Sequence, residues 1–266
     1  MRLELYRRYL EAEPDSGTVG RFMSYDWVEM PGDIYGILAT YSFMLDDFAR
    51  ELANAVNAFT VNIRRLKTWT SLLPTLDKKA RREAIHEFVE PISTLALLSP
   101  YMLRSRFLYA TAHLCHQVNL IRESDWGENA LPMDGEIWFE AADRQGKPWK
   151  AYRPLKLRME RMAGKALSAS TADFRNAFSH RFSARIGEGI TNFAERKFDN
   201  ETGSFFYTFG GTSPLDPSKL VELLSSELDR SYDAFGAFQA LVAEHLEFIV
   251  PLNKEMLDSM NKGSSS

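Results

Sequence analysis

Arg175, Asn176 and His180 fall within six consecutive positions, late in a basic stretch of the chain. An imidazole ordinarily titrates near neutrality and can take or give a proton, while a guanidinium offers a fork of donors that fits a phosphate. An amide beside them can orient either partner. At about 100° per residue, Phe174, Ala177, Phe178 and Phe182 gather on one side of a helix, and Arg175, Asn176, Ser179 and His180 spread over the other. The pattern predicts an apolar side packed inward and a polar quartet turned outward. Arg175 and His180 lie five apart, about 140° around an ideal helix, so only a long arginine or a distorted turn lets them converge. Asn176 and His180, four apart, share a face.

The spacing alone is not specific. Arg81 to His86 and Arg106 to His113 also match it, so three of the five histidines carry an arginine at that distance. The third copy is set apart by the Asn after its Arg, its outward face, its basic setting, and a hairpin and a last helix that follow. On those residues, R-N-x-x-x-H resembles the R-x(4–6)-H signature, with a polar residue after the Arg, of the HEPN families of helical RNA-cutting and nucleotide-binding domains. The resemblance covers this motif and an α-bundle outline over residues 34–250; long insertions at 124–151 and 186–213 depart from a minimal domain.

The resemblance implies a metal-independent endoribonuclease with Arg175, Asn176 and His180 as its catalytic residues. RNA carries its own nucleophile, the 2′-hydroxyl, so the protein supplies only proton transfer and charge stabilisation, and no cofactor is expected. It further implies a homodimer, in which two motif helices make one composite site from two Arg and two His. Lys165, Arg181 and Arg185 are the candidate nucleic-acid contacts. One alternative is a non-catalytic helical module that binds RNA or a protein partner, as in a toxin–antitoxin or defence system. A third reading, a metal-dependent hydrolase, would draw on His113 and His116 with Glu123 or Asp125. No H-E-x-x-H arrangement accompanies them, so packed or surface histidines and no bound metal are expected.

The net charge of −4 hides an asymmetry. From Arg144 to Arg185, eleven Lys and Arg face only Glu160 and Asp173, an excess of nine, which leaves the remainder at −13. A basic region inside an acidic chain would attract a polyanion locally; the plainer account is a solvated helix surface that pairs with acidic neighbours. The composition, 45% hydrophobic and 26% charged, is that of a folded globule and excludes a disordered or fibrous chain. Cys115 is the single cysteine, so no internal disulfide can form. Glu11, Glu13 and Pro14 stand where a signal peptide needs an apolar run, and Arg104 and Arg106 interrupt the most apolar region, Leu95 to Leu120. These features predict a cytoplasmic protein that does not cross a membrane.

Stepwise apolar stripes then supply the scaffold: an all-α multi-helix bundle of about five main helices, forming one domain over residues 1–262. An N-terminal arm (1–32) holds a short helix, and Asp33 is a candidate cap for a long helix over 34–69 that Pro74 closes. Asp77 can cap a helix over 78–98, and Pro100 fits the first turn of another over 101–122, an antiparallel pair. Between 124 and 151 the helical period fails, and Trp126, Trp138 and Trp149 should anchor an ordered irregular connection over the core. The motif then sits at the end of a helix over 152–182, bent or restarted near Ser170. Ile190–Phe198 and Ser204–Phe209, around a turn-rich Asp199–Gly203, predict one β-hairpin within 186–213. Pro217 opens the last helix, to 250, and 263–266 reads as a flexible tail.

Overall fold

The computed structural model describes residues 2–13 and 21–263. The protein is mostly helical, with one two-stranded antiparallel hairpin before the C-terminal helix. In order these are α1 (Arg2–Ala12), α2 (Gly36–Leu72), α3 (Lys78–Ala84), α4 (Glu90–Arg122), α5 (Phe139–Gly146), α6 (Tyr152–Arg161), α7 (Lys165–Ser170), α8 (Phe174–His180), β1 (Ala194–Asp199), β2 (Ser204–Phe209) and α9 (Pro217–Gly263). The helices outnumber the five main ones expected: the stretch read as one helix over 152–182 is three (α6, α7 and α8), α5 falls in the stretch read as irregular, and α1 is the short helix of the arm. Ala163, Ala172 and Asp173 adopt left-handed backbone at the breaks, which ends a right-handed helix.

Two sequence expectations fail at prolines. The helices expected over 78–98 and 101–122 are not an antiparallel pair: a π-helical turn, Ile85–Val89, joins α3 to α4, and α4 continues through Pro100. Pro91 has no N–H and its ring crowds the carbonyl four residues back; the widened turn just before it, with the Glu90 N–H bonded to the Ile85 carbonyl, absorbs that conflict without ending the helix. Asp77 does cap α3, accepting from the Lys79 and Ala80 N–H groups at 2.9 Å. Asp33, by contrast, is not the cap of α2, which starts at Gly36; the Asp33 carbonyl instead accepts a bond from the Asn253 amide at 2.8 Å.

Contacts group the chain into two units, each threaded by parts of α2, α4 and α9. The first takes in Met1–Arg21, Ala58–Pro100 and Ala163–Leu228. Its interior includes a three-ring stack, with Tyr9 at 5.1 Å and Phe88 at 4.6 Å from the ring of Trp69. Glu227, buried, accepts the Ala163 N–H at 2.8 Å and so secures the turn that leads into α7. The hairpin register pairs Ala194 with Phe209 and Asp199 with Ser204, and the Asp199 carboxylate accepts the Glu201 N–H and the Thr202 hydroxyl to hold the turn.

The second unit takes in Phe22–Asn57, Tyr101–Met162 and Asp229–Ser266. Phe107, Phe235 and Phe238 form its aromatic centre, with Trp27 edge-on to the last two. The region 124–151 is less irregular than its sequence suggests, for it contains α5. Gly146 is the last residue of that helix, and a glycine is required there because a Cβ would fall into the Tyr152 ring. Trp149 is buried and donates to Asn119 at 2.9 Å, and Trp126 donates to Gln145 at 3.2 Å, so both anchor the segment as expected; Trp138 stays exposed. α9 is long and apolar enough to cross a bilayer by length and composition. Its stripe of Leu220, Leu224, Phe235, Phe238, Leu241, Val242 and Ile249 is buried within the protein.

Candidate functional site

The motif helix is assembled from its flanks. Thr171 closes α7 by donating its hydroxyl to the Leu167 carbonyl at 2.8 Å, and two consecutive left-handed residues, Ala172 and Asp173, redirect the chain into α8. The Asp173 N–H donates to the Ser168 carbonyl at 2.8 Å and its carboxylate accepts the Ser168 hydroxyl at 3.1 Å, so the redirecting turn is held from both sides. Ser168, not Ser170, is the residue that secures this start. Phe174 and Ala177 are buried, as the helical pattern predicts. The other half of the predicted apolar side is not: Phe178 is 49% exposed and Phe182 77%. The helix ends at His180, so Phe182 no longer shares its face, and the Phe182 carbonyl is taken up by the Asn192 amide at 3.1 Å.

Arg175 and His180 are exposed, and among the described residues neither side chain has a hydrogen bond or ion pair. Asn176 is half-buried and donates to the Asp173 carboxylate at 2.9 Å. It therefore braces the start of α8 and does not orient Arg175 or His180. The same carboxylate lies 3.7 Å from the Arg181 guanidinium. Arg185 pairs with Glu90 at 3.2 Å, and Lys165 is exposed at the first position of α7. Phe178, Arg181, Phe182, Arg185, Glu90 and Thr94 are among the residues lining a cleft of about 270 Å³ that borders the end of α8; Arg175 and His180 are not.

The basic stretch is divided between the two units. Residues 144–161 belong to the second unit, and Lys165, Arg175, Arg181 and Arg185 to the first. Several of its charges are internally matched, Lys156 with Asp143 at 2.7 Å and Arg144 with Glu140 at 3.9 Å. This is the plainer of the two accounts offered by the sequence for that part of the excess.

The remaining histidines divide clearly. His86 is exposed and 3.3 Å from Glu90. His113 and His116 are buried, and burial pushes both imidazoles down from the ordinary value, against the opposing pull of Asp134 on His113. His113 lies 3.2 Å from Asp134, and His116 accepts the Trp126 indole N–H at 3.3 Å. Neither is joined to Glu123 or Asp125, and no metal-binding cluster of three or more His, Cys, Asp or Glu occurs among the described residues. Nothing here supports the metal-hydrolase reading.

His245, on α9, belongs to no motif in the sequence. Its Nδ1 is 3.0 Å from the Tyr41 hydroxyl, its Nε2 is 3.6 Å from Cys115 Sγ, and its ring stands edge-on to Trp149 at 4.4 Å. A Cys beside a His suggests nucleophilic chemistry, but burial pushes this imidazole down to about 3 and the thiol well up, so both stay neutral. The trio is packing. Its signal in the sequence was the place of His245 between Leu241, Val242 and Ile249 on an apolar stripe. A second cleft, of about 490 Å³, also escaped the sequence; its walls include Phe48, Tyr109 and Trp138, with Asp47, Glu51 and Arg106 beside them. No protein-family model, curated protein or solved structure matches the chain.

Proposed function

We propose that the protein is a HEPN-like, metal-independent endoribonuclease of the cytoplasm, in which α8 supplies half of a site completed by a second copy. The observation that carries this reading is the exposure of Arg175 and His180 on one short helix, each with its polar head open to a ligand. In the reaction, an imidazole removes the proton of a 2′-hydroxyl, whose oxygen attacks the adjacent phosphorus. The bond to the 5′-oxygen breaks, that oxygen receives a proton, and a 2′,3′-cyclic phosphate and a 5′-hydroxyl result. A guanidinium neutralises charge on the phosphate oxygens as they crowd around phosphorus. Five positions apart, the two side chains leave one helix in directions about 140° apart. An Arg from one copy facing a His from another resolves that separation, which is the reason for a dimer.

Incubating single-stranded RNA with the protein in the presence of a chelator tests this. Cyclic-phosphate ends should form, and His180→Ala and Arg175→Ala should each lower the rate by at least about a hundredfold. The melting temperature should hardly move, because both side chains are solvated. Exposed His86→Ala should cut at the wild-type rate. Intact RNA after prolonged incubation would sink the nuclease reading. The second reading, a non-catalytic RNA- or protein-binding module, gains from Asn176, whose amide is spent on Asp173 and not on the neighbouring Arg or His.

A further inference from the structure

The hairpin has two unlike faces. Its register places Ala194 opposite Phe209, Arg196 opposite Tyr207 and Phe198 opposite Phe205 on one side. Glu195, Lys197, Asp199, Ser204, Phe206 and Thr208 occupy the other. The first face therefore carries four aromatic rings and one cation, and its rings are all open, from 51% exposed at Phe198 to 72% at Phe209. The Arg196 guanidinium lies over the Phe205 ring at 3.8 Å, and the Phe198 and Phe205 rings meet at 4.9 Å. No carboxylate stands on this face. A two-stranded ribbon is marginal on its own, and a contiguous open aromatic surface of this kind marks a place where something binds.

The chemistry of the face selects among occupants. A second copy packed face to face would bring guanidinium toward guanidinium with no acid to match them. Acyl chains would strip water from Arg196. A strand of unpaired bases offers flat rings for the aromatics and phosphates for the cation, and same-face rungs repeat about every 6.6 Å along the ribbon, room for two or three unstacked bases. We infer that the Phe198–Phe205–Tyr207–Phe209 face of the hairpin, with Arg196, is a stacking platform for single-stranded RNA. The inference rests on the RNA reading above and adds to it the substrate class: unpaired, extended strands, bound apart from the residues that cut.

The test separates holding from cutting. A fluorescent 2′-O-methyl oligouridine of about 12 nucleotides lacks the attacking hydroxyl, so fluorescence anisotropy with the full-length protein reports binding alone. F205S/Y207S should weaken binding by at least about tenfold, and Arg196→Gln should lower the salt slope by about one. Phe206→Ser, on the opposite face of the same ribbon, should bind as wild type, and circular dichroism should verify that each variant folds. A duplex of equal length should bind more weakly than the single strand. Equal binding by wild type and F205S/Y207S overturns the platform, as does a double variant that loses self-association or vesicle flotation while its RNA affinity stands. If the oligouridine binds through the face but natural RNA stays uncut, only the nuclease reading falls; if RNA is cut while the platform variants bind normally, only the platform does.

Discussion

At the scale of single residues, the histidines show how environment assigns roles that spacing cannot. His86, His113 and His180 share one sequence relation to an arginine, yet His180 is solvated on α8, His86 sits beside Glu90, and His113 is enclosed against Tyr109, its ring centroid 4.3 Å away. His245 takes enclosure furthest, and it links stability to pH. Its imidazole falls from the ordinary 6.5 to about 3 on folding, so below pH 6.5 the unfolded chain binds a proton that the folded one refuses. Stability is then complete above about pH 6.5 and declines as pH falls toward about 3, by about 1.4 kcal/mol per pH unit for this group. His113 and His116, shifted the same way, steepen the decline. Urea midpoints measured across this range should show that slope. His245→Phe should be less stable at pH 7, having lost the Tyr41 and Cys115 partners, but should titrate with a shallower slope; an unaltered slope would acquit His245.

At the scale of elements, the sequence was legible wherever local chemistry decides. The stripe of α2, from Leu38 through Tyr41, Leu45, Leu52 and Phe59 to Leu66, is buried as its period requires, and Asp199–Gly203 forms the turn its residues favour. Asp77 is the clearest case. Asp77→Ala removes the side-chain acceptor for two N–H groups at the start of α3 and should lower unfolding stability by about 1 kcal/mol, read by chemical denaturation. Legibility failed where a distant group overrides a local preference. Pro100 reads as the first turn of a new helix, but α4 runs through it, and a π-turn just before Pro91 accommodates that proline without ending the helix. α8 ends at His180 with neither Gly nor Pro to announce it, which is why the helical period places Phe182 on a buried face it never reaches. At the candidate site the residue types and their exposure could be read in advance for Arg175 and His180. The Asp173 brace could not, because it depends on left-handed backbone at two non-glycine residues.

At the scale of the whole molecule, the half-site proposed on α8 calls for a second copy. Light scattering at micromolar concentration should return twice the 30.4 kDa of one chain. A strictly monomeric mass would leave Arg175 and His180 of a single α8 to act alone, against their separation around the helix. The single thiol has a further consequence. Cys115 is fully enclosed beside His245, with no second cysteine to compete for reagent. A thiol-specific probe added to the native protein can therefore react only in those moments when the second unit loosens around α4 and α9. Its rate of uptake is a clock for spontaneous breathing of that interior, requiring no substitution.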